Sequence, residues 1–251
     1  MFDVQQLTFG QYDAVFNVLS FALVSMIFAS FFMLASLGRV LQRYRSSLVV
    51  SATVTGIAAY HYWRIFDSFK ESYAEGTQFN EAYRYVDWIL TVPLLLVETV
   101  AVLALAKSVS RSLLVRLVPA SALMIILGYP GEITNEVLPK MVWGALSTIP
   151  FIYILYILFV ELGKSLARQP EGVAKEVQGL RLTLLATWGF YPIAYLFPVM
   201  GFEGELAFVF RQYGYSIADV LAKAVFGLII YKIARLKSFA DDPEFAKAEG
   251  H

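Results

Sequence analysis

Long apolar runs dominate the chain and are broken at intervals by short polar stretches. A helix that spans a bilayer needs about 20 mostly apolar residues. Stretches of that kind lie at 9–38, 46–69, 82–106, 112–129, 139–163, 178–199 and 208–235. The pattern predicts an all-α protein, a seven-transmembrane helix bundle over residues 1–239, followed by a short polar cytoplasmic tail over 240–251 expected to lack structure. The first run has no small-residue cleavage pattern behind it, so it reads as a span and not as a removed leader. The loop between the second and third spans, with Gly76 at the centre of Ser72–Phe79, is expected to form a short β-hairpin.

Composition agrees with a membrane chain. Charged residues make up 16% and hydrophobic residues 58%, against roughly 25% charged in an average soluble domain. A soluble globule could not bury that much apolar surface. The absence of cysteine removes disulfides and thiolate metal sites. A net charge of zero gives no reason to expect nucleic acid as a partner. Of the 20 Lys and Arg residues, 14 fall in loops on one side, among them Arg39, Arg43, Arg111 and Arg235, and four on the other. The positive-inside rule then puts the N-terminus outside and the C-terminus in the cytoplasm.

The two remaining cations, Arg84 and Lys223, fall inside predicted spans. A charge at mid-bilayer costs about 2.5–3.5 kcal/mol even on a lenient insertion scale, so each asks for a partner. In the third span, Asp87, Thr91 and Glu98 all lie within about 60° of Arg84 around the helix axis. Asp87 and Glu98 are separated by about 16 Å along that axis. In the seventh span, Asp219 and Lys223 are spaced four apart and share a face. Arg84 and Lys223 balance Asp87 and Asp219, while Glu98 is left without a charged partner and is expected to start protonated. Two readings fit: a cluster that only fixes helix packing, or a working site in which a desolvated lysine forms a Schiff base with an aldehyde.

The run Arg84-Tyr-Val-Asp87-Trp88-Ile-Leu-Thr91-Val-Pro93, the pair Asp219-x-x-x-Lys223 and the run Trp188-Gly-Phe-Tyr191-Pro192 resemble the motifs of the microbial rhodopsins. They come in the family's order and on matching spans, and the likeness covers nearly the whole chain. Within that family the sequence is most similar to xanthorhodopsin-like and proteorhodopsin-like outward proton pumps of bacterial cytoplasmic membranes.

The resemblance implies a role for each residue. Lys223 would carry all-trans retinal as a Schiff base. Asp87 would be counter-ion and proton acceptor, and Asp219 the second counter-ion. Arg84 and Thr91 would line the proton pathway, and Glu98 would be the proton donor. Trp88, Leu95, Met124, Gly128, Ser147, Phe151, Trp188, Tyr191, Pro192 and Tyr195 would form the retinal pocket. Leu95 stands where this group tunes colour, and an apolar residue there resembles the green-absorbing members.

Three further features follow from the resemblance. A lone histidine in an aromatic stretch reads first as a packed helix residue, but His61 occupies the place of a histidine that partners the acceptor aspartate. Gly144, with Thr148, stands where archaeal pumps carry a tryptophan and xanthorhodopsin-like members leave a window for a hydroxylated or keto carotenoid antenna. Arg211 stands eight residues before Asp219, where archaeal pumps place an outer glutamate, so an early proton-release group is not expected. The implied activity is a light-driven ion transporter, not an enzyme, in a trimer or pentamer. The alternative is a photosensor signalling to a membrane partner, a class that often lacks a carboxyl at the position of Glu98. The residues that would mark an anion pump or a sodium pump at positions 87, 91 and 98 are not present.

Overall fold

The computed structural model describes residues 2–134, 136–166 and 169–250. Among these the regular structure is helical. The long rods are α1 (Phe9–Ala35), α2 (Arg45–Glu75), α3 (Ala82–Val102) and α4 (Lys107–Ile133). The fifth, α5, runs from Val137–Tyr156 through a wide π turn, Ile157–Glu161, into Leu162–Leu166. Then come α6 (Glu171–Tyr195) and α7, which runs from Gly204–Asp219 through a second π turn, Val220–Val225, to Phe226–Asp241. A short α8 (Pro243–Ala248) follows, its first turn capped by the Asp242 side chain. The tail from Ala240, expected to lack structure, thus continues α7 and then turns into a helix.

The expected β-hairpin is not there: no strand occurs among the described residues. Helix α2 runs on through Ser72–Glu75, the residues that would have formed the first strand, and stops at Gly76. Gly76 takes a left-handed φ of 69°, and its N–H donates to Ser72 O at 3.1 Å. Glycine is favoured there because a Cβ is strained in that conformation. Only residues 76–81 then separate α2 from α3, too few for two paired strands and a turn.

Four helical stretches are long and apolar enough to cross a bilayer by length and composition: Phe9–Ala35, Ala82–Val102, Lys107–Ile133 and Val137–Lys164. Helices α2, α6 and α7 are as long but more polar. In α2 and α7 the polar side chains turn inward: Ser47, Ser51, Thr55 and His61 in the first, Gln212, Ser216, Asp219 and Lys223 in the second, are all buried. Large apolar side chains such as Phe28, Phe31, Ile126 and Ile149 are exposed instead. A belt of this extent is suited to lipid contact.

Successive rods alternate in direction, so the bundle has two ends. The N-terminal end holds the α2–α3, α4–α5 and α6–α7 connections. The C-terminal end holds the other three and the C-terminus. At the C-terminal end, buried Lys237 of α7 donates from Nζ to Leu103 O and to Gln169 Oε1, both at 2.7 Å. Leu41 N donates to Ser238 Oγ at 2.9 Å, and Tyr44 Oη to Asp241 Oδ2 at 2.5 Å. These bonds tie the end of α7 to three loops. Arg181 of α6 donates from Nη1 to Leu158 O at 3.2 Å and Phe159 O at 3.4 Å, covering carbonyls in the π turn of α5.

Candidate functional site

The polar stripe read from α3 faces inward. Arg84, Asp87, Thr91 and Glu98 are all buried, and α7 presents Asp219 and Lys223 to them, also buried. Lys223 lies within the π turn of α7. Such turns are rare and often mark functional sites.

Lys223 sits between two carboxylates. Its Nζ donates to Asp87 Oδ2 and lies 3.1 Å from Asp219 Oδ1. The two aspartates are held differently. Tyr191 Oη donates to Asp219 Oδ1 at 2.5 Å and Tyr62 Oη to Asp219 Oδ2 at 2.8 Å. Among the described residues Asp87 has no such donors, and its Oδ1 is buried without a hydrogen-bond partner. Opposite charges in low dielectric hold each other strongly, which is why this cluster can exist inside the bundle.

His61 lies beside Asp87 but is not hydrogen-bonded to it. Its Nδ1 is 3.7 Å from Asp87 Oδ1 and 3.0 Å from the backbone carbonyl of Ile57. Thr91 Oγ1 donates to the backbone carbonyl of Asp87 at 2.9 Å rather than to its carboxylate. Arg84 lies toward the N-terminal end. It donates from Nη1 to Tyr62 Oη at 3.2 Å and from Nη2 to Gln212 Oε1 at 2.6 Å. The rings of Tyr62 and Tyr215 lie 5.5 and 5.3 Å from its guanidinium carbon. Glu98 lies toward the C-terminal end, with Ser51 Oγ of α2 donating to its Oε2 and with Oε1 left without a partner.

An apolar cavity of about 360 Å³ ends on Lys223. Every side chain expected in the retinal pocket lines it, from Trp88 and Leu95 on α3 to Trp188, Tyr191, Pro192 and Tyr195 on α6. Gly144 and Thr148 line it too, and Thr148 is exposed on the outer surface of the bundle. Close helix approach shapes this wall. A Cβ on Gly131 would stand 1.7 Å from Tyr195 Oη, which donates to Lys140 O at 2.7 Å. The chemistry of the lining fits a long apolar aldehyde: rings and aliphatic groups along its length, and one amine at the end. The volume is within the usual range of ligand pockets, about 300–1,000 Å³.

The sequence reading missed several contributors. Tyr62 is next to His61, yet it is Tyr62 that bonds Asp219. Gln212, Ser51 and Tyr215 lie on helix faces that carry the recognised residues, and only the packing shows what they touch. The inward side of α2, with its buried Ser and Thr residues, was the available signal for Ser51.

Long helices with an apolar outer belt, a neutral ion-pair cluster inside and a ligand-sized cavity ending on a lysine define a multi-pass membrane protein built around a buried amine. The family model described as bacteriorhodopsin-like protein matches residues 14–236, and the chain belongs to that family. It is 32% identical over 230 residues to the green-light absorbing proteorhodopsin of gamma-proteobacterium EBAC31A08, covering 90% of this chain and 89% of that one. Among solved structures, xanthorhodopsin, described as a light-driven ion pump with dual chromophore, superposes with a TM-score of 0.90 at 48% identity, covering 94% of this chain and 97% of that one. A thermophilic rhodopsin superposes with a TM-score of 0.90 at 44% identity, covering 94% and 98%.

Proposed function

We propose that the protein is a light-driven outward proton pump that carries all-trans retinal on Lys223. The observation that carries this reading is the placement of one buried amine at the end of an apolar cavity, with Asp87 beside it and Glu98 in reserve toward the C-terminal end. The residues of the cavity hold the retinal in place and keep water from it. When bound through Lys223 Nζ, retinal supplies a light-driven change of shape that weakens the nitrogen's hold on its proton.

The chain's own groups give the transfer a direction. Asp87 takes the proton, because Asp219 is already occupied by two tyrosine hydroxyls and Asp87 Oδ1 is free. His61, beside Asp87, exchanges its contact with Ile57 O for one with the protonated carboxyl. Arg84 keeps positive charge on the N-terminal side of both aspartates. Glu98 then returns a proton to the lysine nitrogen and is itself refilled from the C-terminal end. The excess of Lys and Arg in loops at that end supports its assignment to the cytoplasm of a bacterial cell, with the N-terminus outside. Moving one proton against about 100 mV requires about 2.3 kcal/mol.

Thr148 and Met141 line the cavity and are exposed at the surface, with Gly144 between them. This supports a second ligand, a hydroxylated or keto carotenoid lying against the outside of α5 as a light-gathering antenna. The likeness to the family is what supports a trimer or pentamer in the bilayer. A photosensor needs no proton-delivering carboxyl, and the buried Glu98 disfavours that reading.

Cells expressing the chain with all-trans retinal, illuminated in unbuffered suspension, should acidify the medium, and a protonophore should abolish the change. Lys223→Ala should give neither colour nor acidification. A coloured wild-type protein that moves no protons at any pH would overturn the pump reading.

A further inference from the structure

By its place in the sequence Lys140 is a cation of the α4–α5 connection, in the first turn of α5. The structure buries it: the residue is 5% exposed. Its Nζ donates to Gly131 O of α4 at 2.7 Å and stands 4.6 Å from the centre of the Tyr195 ring on α6. Tyr195 in turn donates from Oη to Lys140 O at 2.7 Å, so the ring is tied to the residue whose ammonium it faces. The charges that face Lys140 from other elements are Glu132, Arg211 and Glu81. Arg211 Nη2 donates to Glu81 Oε1 at 2.6 Å, and its Nη1 lies 3.8 Å from Glu132 Oε1. Both carboxylates are thus turned to Arg211. Among the described residues the ammonium is left with a carbonyl and a ring instead of an ion pair. The face of the ring attracts it, and a buried charge keeps its reach because little around it screens the field.

The same ring is part of the cavity that ends on Lys223. Tyr195 lines it together with Gly144 and with Met141, the residue after Lys140. Helix α5 packs mainly on α4, while Lys223 belongs to α7, so these residues close the cavity on the side away from the amine. Lys140 does not line the cavity itself; it stands behind a ring that does.

In a protonated polyene imine the positive charge rests near the nitrogen, and excitation by light moves part of it toward the other end of the chain. A fixed cation at that other end opposes the move and raises the energy of the absorbed photon. Charges so placed are one way a protein tunes the electronics of its cofactor. We infer that Lys140 sets the colour of the pigment, holding its absorption at a shorter wavelength than the cavity lining alone would give. This rests on retinal bound through Lys223 and adds a determinant on α5 to Leu95 on α3. Lys140 neither takes nor gives a proton in this role. Tyr195 is a positioning residue: its hydroxyl holds Lys140 O, and its ring keeps the ammonium against the wall.

The test is the visible spectrum of the retinal-loaded protein in lipid vesicles, read beside resonance Raman spectra of the same samples. Lys140→Met removes the charge at nearly constant length. It should move the absorption maximum to longer wavelength by on the order of 10 nm, the scale of losing one unit charge at an effective dielectric of about 20. Lys140→Arg keeps the charge and its attraction to the ring, and should leave the maximum near its wild-type position. The C=C stretch should fall with the red shift. The C=N stretch and its shift in heavy water, which report on Lys223 and its carboxylates, should stay in place. Should Lys140→Met bind no retinal, Lys140→Gln replaces it: its amide can still donate to Gly131 O, and its band should move the same way. An unmoved or blue-shifted maximum in the neutral variant, an equal red shift in Lys140→Arg, or a displaced C=N stretch would overturn the assignment. Any of these would leave the pump reading intact, since that reading is tested by acidification in the light; a coloured wild type that moves no protons would sink the pump and leave the colour assignment standing.

Discussion

Tyr191 and Lys223 meet on the same atom: the tyrosine hydroxyl donates to Asp219 Oδ1 at 2.5 Å, and Lys223 Nζ lies 3.1 Å from that oxygen. Two aspartates flank the lysine, and this contact separates their roles. Asp219 accepts from Tyr191 and Tyr62 and lies against Lys223. Asp87 depends on Lys223 alone among these groups, and once the lysine nitrogen loses its proton nothing else holds the Asp87 charge as firmly.

The asymmetry can be tested by removing the hydroxyls. In Tyr62→Phe/Tyr191→Phe, Asp219 keeps Lys223 as its partner, as Asp87 does. A hydrogen bond to a charged group contributes about 1.5–3 kcal/mol, so loss of two should let Asp219 compete for protons. Acid titration of the visible band, expected as a single step in the wild type, should gain a second step. A single step with an unmoved midpoint would show that the tyrosines do not decide the acceptor.

Glu98 is set by one neighbour. Ser51 Oγ donates to it, and among the described residues no other hydrogen-bond partner reaches it. Glu98→Gln should slow return of the proton to the lysine nitrogen by about 100-fold, and added azide should restore it. Ser51→Ala removes one hydrogen bond that helps the charge form when Glu98 gives up its proton. At about 1 kcal/mol the same step should slow about fivefold, and Ser51→Thr should keep the rate. Flash photolysis reads both.

Gly144 leaves the wall of the cavity thin. A Cβ there would stand 2.9 Å from Tyr195 Cε1, so Gly144→Ala should displace the ring slightly. Gly144→Trp should fill the gap between α5 and α6 and abolish energy transfer from a hydroxylated carotenoid, while visible light absorbed by the retinal itself still drives the cycle. The excitation spectrum of the retinal emission, with and without carotenoid, is the measurement; transfer that persists in Gly144→Trp would place the antenna elsewhere.

Gly76 makes a prediction about stability. Its φ of 69° is left-handed, and a Cβ would come within 2.9 Å of Gln5 Oε1. Gly76→Ala should cost about 1–2 kcal/mol and lower Tm by at least 2–4 °C, the shift of roughly 1 kcal/mol in a chain of this size. A differential scanning measurement in detergent would check it.

The sequence reveals most where a single helix carries the information. Arg84, Asp87, Thr91 and Glu98 share one face of α3 because helical periodicity is a one-dimensional rule, and Asp219 and Lys223 follow by the same rule on α7. It reveals less where atoms on different helices meet. Nothing in the local pattern says that Tyr62, and not His61, bonds the neighbouring aspartate, or that His61 Nδ1 turns to the Ile57 carbonyl. Glu81 and Arg211, joined at 2.6 Å, come from elements far apart in sequence, and no rule along one helix pairs them. The hairpin failed for a local reason. Ala74 and Glu75 are good helix formers, no proline interrupts them, and the glycine taken for the tip of a turn ends the helix instead.

The π turn at Val220–Val225 has a mechanical meaning. It sets one widened turn in α7 at Lys223, the residue proposed to carry the ligand. A change in length there is taken up within a single turn. Below it, Gln212 and Arg211 stay in register with Glu81; above it, Lys237 and Ser238 stay pinned to their loops. The helix that bears the load therefore need not move as a whole, and both of its ends can serve as fixed ground for the proton's way in and out.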